Sequence, residues 1–175
     1  MRRLLIVVDM QNDFISGALG SKEAQCVEGI VADKIIDYFI SGDDIAVTMD
    51  THGKNYLETP EGRKLPVEHC IRFSSGWALS DKVYKSLTQG KCYTTFFKET
   101  FGSVALAEFA QAGCYGEIEL VGVCTDICVV SNALLLKAYC PDAKIIVDSS
   151  CCAGTSVENH IKALDIMRCC QINVI

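Results

Sequence analysis

A chain of 175 residues, half of them hydrophobic, is long enough to bury one substantial core, and its apolar residues are spread too evenly to suggest a division, so one domain over 1–175 is expected. No apolar run approaches the roughly 20 residues that cross a bilayer, and the short run behind Arg2 and Arg3 stops at Asp9 without a small-residue cleavage site, which argues against a membrane span or export. The net charge of −6, with no block of Lys and Arg, removes the field that draws a protein to nucleic acid or anionic lipid and leaves a small neutral substrate as the better partner.

Short runs rich in Val and Ile alternate with longer segments of helical periodicity, the pattern of repeated βα units around a mostly parallel sheet. The first predicted strand, 4–9, is almost continuously apolar, as a strand covered on both faces should be. A helix is predicted over 22–40, where Val27, Ile30, Val31, Ile35 and Tyr38 keep a stripe at three-to-four spacing that only Lys34 interrupts. A second strand at 45–50 leads into 51–64, which carries Gly53, Asn55, Pro60 and Gly62 without periodicity. A loop of that length inside a compact domain is uncommon unless it builds a site. Strands at 91–96, 117–123, 143–148 and 171–175 then alternate with helices at 102–112, 126–139 and 157–167.

Eleven cysteines could indicate a disulfide scaffold, but such scaffolds are small, loop-rich and exported, so reduced thiols in the cytoplasm are expected instead. Cys151-Cys152 and Cys169-Cys170 are adjacent pairs rather than spaced metal hooks. Cys26, Cys92, Cys114 and Cys140 stand singly amid apolar neighbours and read as packing residues.

The reactive side chains fall at one edge of the predicted sheet. Asp9 ends the first strand, Asp50 ends the second with His52 following, Lys98 lies just past the third, and Cys128 comes shortly after the fourth. Ligands of open parallel sheets bind outside the carboxyl ends of the strands, so four stretches deliver their chemistry to one place. Thr125 or Asp126 can cap the helix that begins there and leave Cys128 in its first turn. Unpaired N–H groups and the dipole would favour the thiolate and lower its pKa. Cys124, nearer the strand end, is the weaker nucleophile and would contribute its backbone amide. Asp50 and His52, two apart in extended chain, can face one ion, and His69 would complete a set of two imidazoles and a carboxylate suited to Zn²⁺, Mn²⁺ or Fe²⁺. Against this stands the reading of His52 and His69 as ordinary loop residues. His160 reads as surface or structural.

Asp9-Met10-Gln11-Asn12-Asp13-Phe14, Phe97-Lys98 and Gly122-Val123-Cys124-Thr125-Asp126-Ile127-Cys128-Val129, in this order along the chain, resemble the isochorismatase-like cysteine hydrolases, and Asp50, His52 and His69 resemble the metal set of their nicotinamidase branch. The resemblance implies a Rossmann-like three-layer α/β fold with six strands, Asp9, Lys98 and Cys128 as a catalytic triad, and a cis peptide between Val123 and Cys124. It further implies an oxyanion hole from the amides of Cys124 and Cys128, a divalent metal, zinc before manganese or iron, and a homo-oligomer, dimer or tetramer. The implied reaction is hydrolysis of nicotinamide to nicotinate and ammonia through a thioester. Departures thin the aromatic walls: Thr51 stands where the branch commonly has Trp, and Leu65-Pro66-Val67-Glu68 where another aromatic is usual. Phe14 is left as the clear substrate-binding candidate, and Trp77 has no assignable place. Another small amide or a carbamoyl or ureido compound remains open as the substrate, as does a non-catalytic metal-binding or thiol-sensing protein.

Overall fold

The computed structural model describes residues 2–90 and 92–175. Its centre is a six-stranded, wholly parallel sheet in the order β3-β2-β1-β4-β5-β6, formed by β1 (Arg3–Val8), β2 (Asp44–Asp50), β3 (Thr94–Lys98), β4 (Glu117–Val123), β5 (Lys144–Ala153) and β6 (Asn173–Val174). Alternation along a strand sorts side chains between two faces. Leu4, Ile6 and Val8 join one apolar layer with residues of α4 (Val104–Gly113), α5 (Val130–Tyr139) and α6 (Val157–Cys169). Leu5 and Val7 join the opposite layer with α1 (Asn12–Ile15), α2 (Lys22–Ser41) and α3 (Asp81–Gln89). Helices on both faces explain why the central strands read as unbroken apolar runs.

Several boundaries differ from those expected. The third strand runs two residues beyond the predicted 91–96, so Lys98 ends it rather than following it; its predicted start at Lys91 lies outside the described residues. The shift follows from its place at the sheet edge, where Thr94 and Phe97 are exposed and hydrophobicity no longer marks the strand. β5 extends past 143–148 because three extra residues bulge out between the pairs Leu120↔Val147 and Gly122↔Cys152, and the polar Asp148, Ser149 and Ser150 of that bulge look like a strand end. The predicted helix 126–139 is a π-helical turn, Thr125–Val129, followed by α5. α1 and α3 were not expected; α3 buries only Val83, Ser86 and Leu87, too short a stripe to announce itself.

The cysteines also depart from expectation. Cys26, Cys92, Cys114, Cys169 and Cys170 are exposed and Cys140 is half-buried, so the single cysteines are not core packing residues. Buried positions go instead to Cys70, Cys128, Cys151 and Cys152, and all eleven are unpaired.

Candidate active site

β1 and β4 flank the point where the strand order reverses, the place where open α/β sheets leave a crevice. Asp9 follows β1 directly, fully buried and in the left-handed region at φ 49°. Its Oδ1 accepts from Thr48 Oγ1 at 2.7 Å. Asp50 and Lys98 are register partners at the ends of β2 and β3, which sets their side chains beside one another. Cys128 comes from the turn after β4, beyond a cis Val123–Cys124 peptide, and is 5% exposed.

Lys98 is the hub. Its Nζ lies 2.6 Å from Asp9 Oδ2, 3.3 Å from Asp50 Oδ1 and 3.4 Å from Cys128 Sγ. The contact with Asp9 is a buried ion pair, both side chains being almost wholly shielded from solvent. Asp9 and the Cys128 thiol meet at the same Lys98 ammonium, which lies within 3.4 Å of both. The ammonium thus stands between the carboxylate and the thiol, close enough to offset a negative charge on either.

Asp50 joins two groups of residues that the sequence presents separately. While Oδ1 faces Lys98, Oδ2 lies 2.9 Å from His52 Nε2 and 3.4 Å from His69 Nε2. Asp50, His52 and His69 each bring one ligand atom to within 4.8 Å of the others, and all three are buried. His69 Nδ1 donates to the Val67 carbonyl at 2.8 Å, which leaves the lone pair on Nε2, facing the other two. For metal bonds of about 2.1 Å, a tetrahedron has edges of roughly 3.4 Å, so these separations fit a small divalent cation. Glu61 adds a second carboxylate, with Oε1 at 3.9 Å from His52 Nε2 and 3.8 Å from His69 Nε2.

Burial governs the proton affinities. It pushes the Cys128 thiol well above its ordinary value, Asp9 adds to the effect, and Lys98 opposes it. The lowered thiol pKa expected from a helix N-terminus is therefore corrected: in a dry turn beside a carboxylate, desolvation outweighs the unpaired amides. Burial also raises Asp9, against the pull of Lys98. It works against the charge on Lys98, but Asp9, Cys128 and Asp50 outweigh it and keep the ammonium charged. Cys124 is pushed up to about 12 by burial and then by Asp126.

A cavity of about 340 Å³ opens onto this centre. Asp50, His69 and Cys128 line its inner end with Phe14 and Cys124, while Leu19, Leu65, Phe101 and Ile127 make much of its outer wall. Tyr56, fully buried, packs against both imidazoles at 4.7 and 4.9 Å and backs them from outside the cavity. Trp77 is outside the cavity and braces it from behind, donating from Nε1 to Thr51 Oγ1 at 2.8 Å and stacking on Phe97. Sequence reading missed Glu61, although it lies in the loop singled out as site-building. It also missed Phe101 and two buried clamps. Gln11 holds the end of β2 through Asp50 N at 2.7 Å and Asp50 O at 2.8 Å. Asn132 ties the Cys128 carbonyl, at 2.8 Å, to Ser103 N, at 2.9 Å. Gln11 falls inside a motif quoted for the resemblance; Asn132 has no sequence signal beyond its polarity in an apolar helix.

A model of the isochorismatase domain matches residues 3–175. The isochorismatase family protein PncA of Bacillus subtilis (strain 168) is 29% identical over 175 residues, covering 94% of this chain and 93% of that protein. The crystal structure of a nicotinamidase/pyrazinamidase from Bacillus subtilis superposes with a TM-score of 0.86 at 26% identity, covering 99% of each chain. That of a Pyrococcus horikoshii pyrazinamidase in complex with zinc superposes at 0.82 with 24% identity over 100% of this chain and 99% of the other, a likeness of fold. With its six-stranded parallel sheet and a family match over nearly its whole length, the chain belongs to the isochorismatase family.

Proposed function

We propose that the protein is a cysteine-dependent amidohydrolase that converts nicotinamide to nicotinate and ammonia. The observation that carries this reading is the meeting of buried Asp9 and Lys98 with Cys128, which lines a cavity together with Asp50 and His69. Asp9 takes the thiol proton as the sulfur attacks the amide carbonyl. Lys98 stays charged and offsets the negative charge shared between sulfur and carboxylate. The amides of Cys124 and Cys128, at the start of a helical turn whose first N–H groups have no intrahelical partner, would receive the oxyanion, each worth roughly 3 kcal/mol in such sites. The proton on Asp9 passes to the leaving ammonia, and a water then cleaves the thioester. A divalent cation, zinc first, held by Asp50, His52 and His69 with Glu61 alongside, would supply an electrophile for a ring nitrogen. Phe14, in the cavity wall, provides flat apolar surface for the ring, while the fully buried Tyr56 backs the two imidazoles. The nicotinamidase names of relatives and structural neighbours support the substrate, and unpaired cysteines fit a reducing compartment such as the cytoplasm.

The test is ammonia release from nicotinamide and a panel of other small amides, with and without added Zn²⁺ or Mn²⁺. Wild type should turn over nicotinamide, and Cys128→Ala should lose at least about a thousandfold in kcat with the protein still folded. Turnover by the alanine variant at the wild-type rate would remove Cys128 from the reaction.

A further inference from the structure

The turn proposed to hold the oxyanion is anchored from outside the cavity, by a part of the chain that no step of the reaction uses. Thr125, adjacent to Cys124, is fully buried, and its Oγ1 lies 2.8 Å from Nδ1 of His160 on α6. Asp126 is gripped by the segment joining β5 to α6: its Oδ1 accepts from Thr155 N at 2.8 Å and its Oδ2 from Thr155 Oγ1 at 2.5 Å. Asn159 Nδ2 donates in turn to Thr155 Oγ1 at 3.0 Å. Gly154 makes the approach possible, because a Cβ there would stand 2.9 Å from Asp126 Oδ1 and 2.9 Å from the backbone nitrogen of His160. Burial lowers the His160 pKa, more than nearby Asp126 raises it, so the imidazole is neutral at pH 7 and can pair with a hydroxyl in either tautomer.

We propose that His160 and Thr125 are positioning residues for the oxyanion turn, their hydrogen bond fixing where the Cys124 amide points relative to that of Cys128. This inference rests on the functional reading above. A five-residue π-helical turn has little internal hydrogen bonding to define it, and its orientation must come from what it is tied to. The Cys124 carbonyl accepts from Ile127 N at 3.1 Å and Val129 N at 3.0 Å, and Asn132 secures the far end at the Cys128 carbonyl. Only the Thr125–His160 and Asp126–Thr155 contacts in this set tie the near end to another element. Loosening them would leave Cys128, held at its carbonyl by Asn132, in place and let the Cys124 amide wander, and oxyanion donors act only when aimed at the position the oxygen will take.

His160→Leu and the nearly isosteric Thr125→Val separate this role from a merely structural one. In nicotinamide hydrolysis, each should lower kcat by roughly ten- to a hundredfold with KM unchanged within about twofold, since misplacement of catalytic groups by an ångström carries losses of that order. Alkylation of Cys128 by iodoacetamide forms no oxyanion, so its rate should match wild type in both variants. The double variant should be no worse than the poorer single one, because both cut the same bond. His160→Asn, which offers an amide near the place of Nδ1, should restore most of the turnover, and so should Thr125→Ser. Wild-type kcat in His160→Leu and Thr125→Val, alkylation rates that fall in step with kcat, or failure of His160→Asn to rescue would each overturn the proposal. Cys128→Ala distinguishes the two levels. If it is inert while His160→Leu is normal, only the positioning role falls; if it turns over normally, the functional reading falls and takes this inference with it.

Discussion

At the scale of single residues, the position of one proton separates a reactive thiol from a catalytic one. Burial and the Asp9 charge both raise the Cys128 pKa, and Lys98 alone among the named neighbours lowers it. Asp9→Asn removes a negative charge next to the sulfur, so the thiol should ionise at lower pH than in wild type. The alkylation rate of Cys128 followed against pH should shift toward acid, while amide turnover should fall by at least about a hundredfold because the base is gone. Parallel loss of alkylation and turnover would sink the assignment of Asp9 as base. Lys98→Met should move the alkylation profile the other way. In wild type, turnover requires Asp9 ionised, and its raised pKa places the acid limb of the rate profile above the usual carboxylate range of about 4. Asp9, Lys98 and Cys128 were legible from sequence because strand ends converge whatever the details of packing. Glu61 was not, since nothing in an irregular loop tells which of its carboxylates turns inward.

At the scale of elements, the strands were legible where both faces are covered and poorly legible where they are not. β1 and β4 kept nearly their expected bounds because Leu4 to Val8 and Ile118 to Val123 have no solvent face. α2 buries Val27, Val31, Ile35 and Tyr38 of its expected stripe and leaves Ile30 exposed, and Ser21 caps it by accepting from Ala24 N at 3.0 Å. The β5 bulge, the edge position of β3 and the π-helical turn escaped because each depends on partners distant in sequence. Gly122 shows how such a partner constrains one position. It sits at φ 118° where β4 meets β1, and a Cβ there would stand 2.2 Å from the Val8 carbonyl oxygen. That oxygen belongs to the backbone of the strand leading to Asp9 and cannot rotate away. Gly122→Ala combines a disfavoured backbone conformation with a main-chain clash, and should cost about 3 kcal/mol of unfolding free energy. Because the shift would separate Asp9 from Cys128, turnover should fall even in the fraction that remains folded. Denaturant titration read beside turnover per folded molecule checks both, and an unchanged midpoint would show that the two strands can part without cost.

For the whole molecule, Lys34 presents the clearest case of a polar residue whose meaning needs three elements at once. In sequence it is a flaw in an apolar stripe; in the fold it leaves α2 to meet Glu119 Oε1 on β4 at 2.5 Å and the Asp148 carboxylate in the β5 bulge. Tyr38 OH donates to the other oxygen of Glu119 at 2.6 Å and accepts from Arg3 at 3.0 Å, so one network bolts a helix to three strands. The site lies elsewhere, since Glu119 pairs with Leu5 and Ile146 in mid-sheet whereas Asp9 and Cys124 follow the strand ends. Lys34→Met keeps the apolar stem and deletes the cation, leaving two carboxylates without their counterion. Stranding a buried charge costs about 3 kcal/mol, and the partial exposure of the Lys34 stem favours the lower end of the range. The pH dependence fixes the cause. Hydrogen bonds from Lys34, Ser150 and Cys151 hold Asp148 below the ordinary carboxylate value despite its burial, so in wild type its contribution is complete above the unfolded value of about 4 and is lost as pH falls through the lower folded value. Without Lys34 the balance tips toward burial, Asp148 binds its proton more readily in the folded state than in the unfolded one, and the sign reverses. The gap in stability between the variant and wild type should therefore be widest near pH 8 and narrow steadily toward pH 4, with kcat per folded molecule within about twofold of wild type throughout the range where both remain folded. A gap that stayed constant with pH would mean that the methionine is paying for lost packing rather than for two unpaired charges.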